Sequence, residues 1–185
     1  MKDYYELEVA GLKRQLPLCK VTDELYIAAF IMFGDVELTC ACAKELLSKA
    51  PEHDIMITAE SKGIPLLYEM ARQSGVNNYI VARKEKKLYM KNVVYTEVDS
   101  ITTAHKQRLC VGKDEIDAMR GKRVLIVDDV ISTGESLAAL ETLVTQVGGE
   151  IVGKMAVLAE GDAIDRKDII CLAPLPLFDP DGTEK

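Results

Sequence analysis

The sequence predicts a doubly wound α/β fold, with helices on both faces of a parallel sheet, a small cap over residues 1–35 and a hairpin inserted in a core spanning 36–185. Three observations predict it. The apolar runs at 54–59, 78–82, 124–127 and 151–159 lack alternation, as strands covered on both faces do. Segments with helical spacing of apolar residues lie between most of these runs, the pattern that builds a parallel sheet. Residues 83–113 break that rhythm and alternate instead like an antiparallel pair.

Taken in order, residues 1–35 are the least patterned. Residues 6–12 suit a strand, 16–21 a short extended piece, and 23–33 either helix or strand before Phe33-Gly34-Asp35 breaks the run. A helix is expected over 36–49, with Val36, Cys40, Ala43 and Leu47 on its apolar face and Pro51 as its stop. Residues 54–59 form a buried strand, 60–63 a turn, and 64–73 a helix. Pro65 falls in that helix's first turn, where its missing N–H costs nothing. Residues 78–82 are the next strand. Residues 93–98 and 106–111 make the hairpin, linked by 99–104. The strand 124–127, a helix carrying Leu137, Leu140, Val144 and Val147, the Gly148-Gly149 stop and the strand 151–159 complete a βαβ unit. The last strand is expected at 168–172, and 178–182 is rich in turn residues.

Composition narrows the class. With 185 residues, 48% hydrophobic and 29% charged, the chain has the make-up of a soluble globular protein large enough for a full core. A formal net charge of −7 argues against a general nucleic-acid or membrane-surface binder. The five cysteines, Cys19, Cys40, Cys42, Cys110 and Cys171, show no metal-ligand spacing and suit reduced thiols in the cytoplasm. The first residues are polar and do not look like a signal peptide, and no apolar stretch is long enough to span a bilayer.

The chemistry concentrates in residues 124–136. Four apolar residues lead to Asp128 and Asp129, and a Ser132-Thr133-Gly134 turn then opens a helix. Backbone N–H groups at such a turn suit an anion. Two carboxylates would repel a bare phosphate but suit hydroxyls or a divalent cation beside it. Together they point to a phosphorylated sugar. The chain carries neither a Walker A loop nor a G-x-G-x-x-G fingerprint. Two further loops follow core strands: Glu60-Ser61-Lys62-Gly63, and the basic run Arg83-Lys84-Glu85-Lys86-Lys87. Such runs are usually only solvated, but this one begins where a core strand ends. His53 and His105 have no ligand set around them in sequence.

These residues resemble a known family. Val124 to Ser136 closely resembles the thirteen-residue signature of the type I phosphoribosyltransferases, Glu60 to Gly63 looks like the family's pyrophosphate loop, and Arg83-Lys84 with Lys87-Leu88 resembles the start of its flexible loop in the adenine and xanthine branches. The likeness runs over about residues 36–160, with 1–35 matching the family's variable hood in position only.

The resemblance implies a purine phosphoribosyltransferase that uses 5-phosphoribosyl 1-diphosphate (PRPP) with Mg²⁺. Asp128 and Asp129 would hold the ribose hydroxyls and help organise the metal. Ser132, Thr133, Gly134, Glu135 and Ser136 would take the 5′-phosphate. Ser61, Lys62 and Gly63 would face the diphosphate, with Arg83, Lys84 and Lys87 adding charge. The hairpin would close as a lid. Ser132 stands where the hypoxanthine-guanine branch carries an acid, which favours adenine, with AMP as product, or xanthine as the alternative. The resemblance also implies a homodimer, and leaves open a non-catalytic PRPP sensor.

Overall fold

The computed structural model describes residues 3–98 and 107–185. The link expected at 99–104 and His105 lie outside these residues. A five-stranded parallel sheet forms the centre. Its strands are β4 (Ile55–Ala59), β5 (Ile80–Ala82), β8 (Arg123–Ile131), β9 (Glu150–Glu160) and β10 (Ile170–Leu175). They lie in the order β10-β9-β8-β4-β5. Chain order therefore reverses between β4 and β8, and such reversals open the crevice where α/β sheets bind ligands.

The apolar runs are unbroken because each strand serves two cores. Leu125 and Val127 face one side, against α1 (Val36–Lys49) and α2 (Ile64–Ser74). Val124 and Ile126 face the other, against α4 (Glu135–Gln146) and α3 (Lys113–Met119). The helix α3 escaped the sequence reading because its seven residues are mostly charged or small. The buried side of α1 carries Leu38, Thr39, Cys42, Ala43 and Leu46, so the expected face was rotated, and Val36 is exposed. Both stripes of that helix are apolar in sequence, and only packing against α2 distinguishes them.

The N-terminal residues form a second, antiparallel sheet of β1 (Tyr4–Val9), β2 (Leu12–Lys20), β3 (Tyr26–Ala28) and β11 (Leu177–Phe178). The strand expected at 6–12 is in fact divided by a two-residue turn at Ala10 and Gly11. Both have positive φ, as a tight hairpin between twisted strands requires. Leu7, Val9, Leu16, Phe30, Met32 and Phe178 pack this sheet onto the α1/α2 core. Arg14 of β2 clips it in place: its Nε and Nη2 donate to the Asp35 carboxylate at 2.6 and 3.1 Å, while Asp35 Oδ1 caps α1 by accepting from the Leu38 N–H at 3.0 Å.

The hairpin of β6 (Val94–Val98) and β7 (Gln107–Val111) is antiparallel, as expected. Its base is built into the core rather than hinged from it. Leu109 and Val111 are buried among α4 residues, Thr96 Oγ1 donates to the Ala139 carbonyl at 3.3 Å, and Arg83 exchanges two backbone hydrogen bonds of 2.8 Å with Cys110.

Candidate functional site

The longest difference from the sequence reading is in β8, which runs to Ile131 rather than stopping at Val127. Asp128 and Val130 still pair with Ala156 and Leu158 of β9, but pairing with β4 ends at Ile126. The two acids therefore lie where the strand has lost one neighbour, and the vacated side opens a cavity of about 460 Å³. Ser61, Lys62 and Lys84 line it together with Asp128, Asp129, Ser132 and Ser136. Thr133, Gly134 and Glu135 join Ser132 and Ser136 around an adjoining hollow of about 50 Å³ at the start of α4. Gly134 caps that helix with φ +81°, and a Cβ there would stand 2.8 Å from Arg166 Nη1. The first turn of α4 directs N–H groups that no helix carbonyl reaches, together with the positive dipole end, at this hollow, which suits an anion.

The loop after β4 approaches from the other side of the crevice, with a cis peptide between Glu60 and Ser61. Gly63 is a glycine because of crowding: a Cβ would collide with Thr58 Oγ1 and come within 3.1 Å of Asp128 Oδ1. Lys62 reaches across, its Nζ 3.9 Å from Asp129 Oδ2. Arg83 and Lys87, by contrast, do not line the cavity. Arg83 is tied to β7 through its backbone, and the Lys87 N–H donates to Met90 Sδ.

Electrostatics single out the acid pair. Burial, and behind it the charge of Asp129, push the Asp128 carboxyl far above the usual carboxylate range. Asp128 Oδ1 accepts from the Asp129 N–H at 2.9 Å, while Asp129 Oδ2 is buried with no hydrogen-bond partner among the described residues. Such an atom carries a desolvation cost that a hydroxyl or cation from a ligand would remove. No group of three or more metal-ligating side chains occurs among the described residues. The unpartnered Asp129 Oδ2 and the neighbouring Asp128 are a donor set that would suit a Mg²⁺ ion whose shell is completed by ligand oxygens.

Two contributors were missed in the sequence, and a third, Glu60, was seen there only as the start of a loop. Glu60 accepts from the Lys84 N–H at 3.1 Å and lies 3.8 Å from Arg83 Nε, so it fixes the start of the basic run. Residues 27–31 supply an apolar wall, and Glu160 at the end of β9 lines the cavity beside them. The wall could not be found from spacing because β3 is only three residues long.

With this geometry in view, comparison with known proteins is specific. The model of the phosphoribosyl transferase domain family matches residues 39–173. Over 135 residues the chain is 33% identical to xanthine phosphoribosyltransferase of Bacillus thuringiensis (strain Al Hakam), covering 71% of this chain and 67% of that one, and the figures for the Bacillus cereus (strain AH187) protein are the same. In fold it is similar to adenine phosphoribosyltransferase from Thermoanaerobacter pseudethanolicus, with a TM-score of 0.65 and 21% identity over 93% of this chain and 95% of that one. It is likewise similar to the Giardia lamblia enzyme complexed with 9-deazaadenine, with a TM-score of 0.65 and 17% identity over 92% and 93% of the two chains. The chain belongs to the phosphoribosyltransferase family, as a type I, purine-branch enzyme of glycosyltransferase type.

Proposed function

We propose that this chain transfers the 5-phosphoribosyl group of PRPP to a purine base, adenine in the first place, giving AMP and diphosphate. One observation carries the reading: a cavity at the β4/β8 reversal brings half-buried Asp128 and buried Asp129 together with a lysine-bearing loop, and an anion hollow at a helix N-terminus adjoins it. In this reading the α4 hollow takes the 5′-phosphate on backbone N–H groups. Asp128 and Asp129 accept from the ribose 2′- and 3′-hydroxyls. Ser61 and Lys62 hold the diphosphate, with Lys84 close by and the charges of Arg83 and Lys87 set behind it. Residues 27–31 stack against the flat base.

The reaction breaks the bond between the anomeric carbon and the diphosphate oxygen and forms one to a purine nitrogen, whose proton passes to the departing diphosphate. Charge builds on the leaving diphosphate, where Lys62 opposes it. Mg²⁺, when bound with PRPP at Asp128 and Asp129, supplies further charge neutralisation on the phosphate oxygens. The apolar wall and the hairpin keep water from the sugar carbon.

The relatives in Bacillus bear the name xanthine phosphoribosyltransferase, so xanthine is the second base to test. Incubating the protein with PRPP, Mg²⁺ and each purine, and resolving nucleotide and diphosphate chromatographically, separates these readings. A protein that binds PRPP and converts no base is a sensor, not an enzyme.

Three further assignments belong to this reading. Residues 1–35 act as a hood over a core of 36–185, joined through the pairing of Leu177 with Ile27. The exposed side chains of Val36 and Tyr68, which line a groove between α1 and α2, support a homodimer, which sedimentation would test. The free thiols support a cytoplasmic setting, and the formal net charge of −7 disfavours nucleic acid or a membrane surface as partner. No helix among the described residues is long and apolar enough to cross a membrane.

A further inference from the structure

The cavity wall next to the hood carries one ionisable group that the assignments above leave without a task. Glu160 ends β9, and its register partner on β10 is Leu175. Two residues beyond Leu175, Leu177 pairs with Ile27, the first residue of the apolar wall. Glu160 thus stands beside the wall formed by residues 27–31. No hydrogen bond or ion pair engages its carboxyl among the described residues, although it is half-buried and faces the cavity. Burial raises the carboxyl above its ordinary range, and the charge of Lys62 opposes that shift.

A half-buried carboxyl left unpartnered in a ligand cavity is costly unless the ligand completes it. Glu160 shares the cavity with residues 27–31, the wall to which the reading above gives the base, so the base is the part of the substrate within its reach. We propose that Glu160 determines base specificity, pairing with the 6-amino edge of a purine and disfavouring a 6-oxo edge. The proposal rests on the phosphoribosyl-transfer reading of the cavity. An exocyclic amino group donates to a carboxylate oxygen. A 6-oxo group offers only lone pairs in the same place, and oxygen faces oxygen. Xanthine, with two oxo groups and an acidic ring proton, is the least suited of the common purines.

The test compares wild type with Glu160→Gln and Glu160→Leu on adenine, hypoxanthine, guanine and xanthine. It measures kcat/KM for each base with PRPP and Mg²⁺, and PRPP binding by calorimetry. Wild type is expected to favour adenine over the 6-oxo purines by about tenfold or more, since a site built to bond one group rejects its lack. The amide of Glu160→Gln pairs with either edge by turning over, so the preference should shrink by about tenfold. Glu160→Leu should lose about tenfold on adenine while its PRPP affinity stays within about twofold. A preference unchanged in Glu160→Gln, or a wild type that favours xanthine or hypoxanthine, overturns the role of Glu160 and leaves phosphoribosyl transfer intact. A wild type that converts no base removes the reading beneath it.

Discussion

Lys62 Nζ lies 3.9 Å from Asp129 Oδ2 across the β4/β8 crevice, and the two side chains differ sharply in exposure, 58% against 5%. The acid is fixed and the lysine is free to swing. A ligand diphosphate can therefore draw Lys62 away while a sugar hydroxyl takes its place at Asp129. Lys62→Met should lower kcat/KM for PRPP by about ten- to a hundredfold, as removal of a transition-state charge contact does. Lys62→Arg should recover part of the loss. Because the lysine is mostly exposed, the melting temperature should barely move. Unchanged PRPP kinetics in Lys62→Met would remove Lys62 from the site.

Asp128 gives the opposite combination, a gain in stability with a loss of activity. In the unfolded chain its carboxyl has the ordinary aspartate pKa of about 4. In the folded protein burial and the neighbouring Asp129 raise it. Between those two values the folded state holds a proton that the unfolded chain has released, so stability falls as pH rises through that window. Below the ordinary value both states are protonated and the group contributes nothing. Asp128→Asn carries no such penalty. Relative to wild type without ligand, its melting temperature should rise by roughly a few degrees at pH 8 and not at pH 4, while PRPP turnover drops. An equal shift at both pH values would contradict the assigned protonation.

The clip between hood and core can be tested apart from the chemistry. Asp35 both caps α1 and receives Arg14. Asp35→Asn keeps a capping oxygen and loses the charge, whereas Asp35→Ala loses both. Chemical denaturation should show the alanine variant less stable by about 1 kcal/mol, the usual cost of a lost cap, with asparagine in between. Both should raise KM for the base more than for PRPP, because the clip positions the wall at residues 27–31. Equal changes in the two KM values would place the effect elsewhere.

How much of this was legible in the sequence follows the range of the interactions involved. The strand at 124–127, the acids and the turn after them are contiguous, and local pattern was enough to find them. The end of β8 was misjudged because Asp128 and Asp129 look like a terminus, and only β9 pairing keeps them in the strand. Glu60 was visible as part of a loop, but its hold on Lys84 depends on β4 and β5 lying side by side. Glu160 gave no signal, since an acid closing a strand is ordinary until Leu175 and the hood surround it. The sheet that the hood forms is completed from the other end of the chain, where Leu177 pairs with Ile27, a pairing that periodicity cannot convey.

That contiguity also explains Gly63, whose need for no side chain comes from a residue five positions earlier. Thr58 is fully buried in β4, and its Oγ1 is both the atom a Cβ at 63 would strike and a hydroxyl without a hydrogen-bond partner among the described residues. Gly63→Ala should therefore destabilise the fold by about 1–3 kcal/mol through overpacking, and should also disturb Asp128, whose Oδ1 is the next atom met. Thr58→Ala removes the obstructing oxygen and a buried methyl with it; relief of the unbonded oxygen's desolvation cost offsets part of the methyl's loss, so the single variant should lose only about 1 kcal/mol. The double variant should then be clearly more stable than Gly63→Ala alone, a coupling expected of residues in direct contact. PRPP turnover should recover with it, if the clash at Thr58 is what displaces the loop. Strictly additive stabilities across the four proteins, measured by denaturant unfolding, would show that the glycine is required for its backbone and not for the space above it.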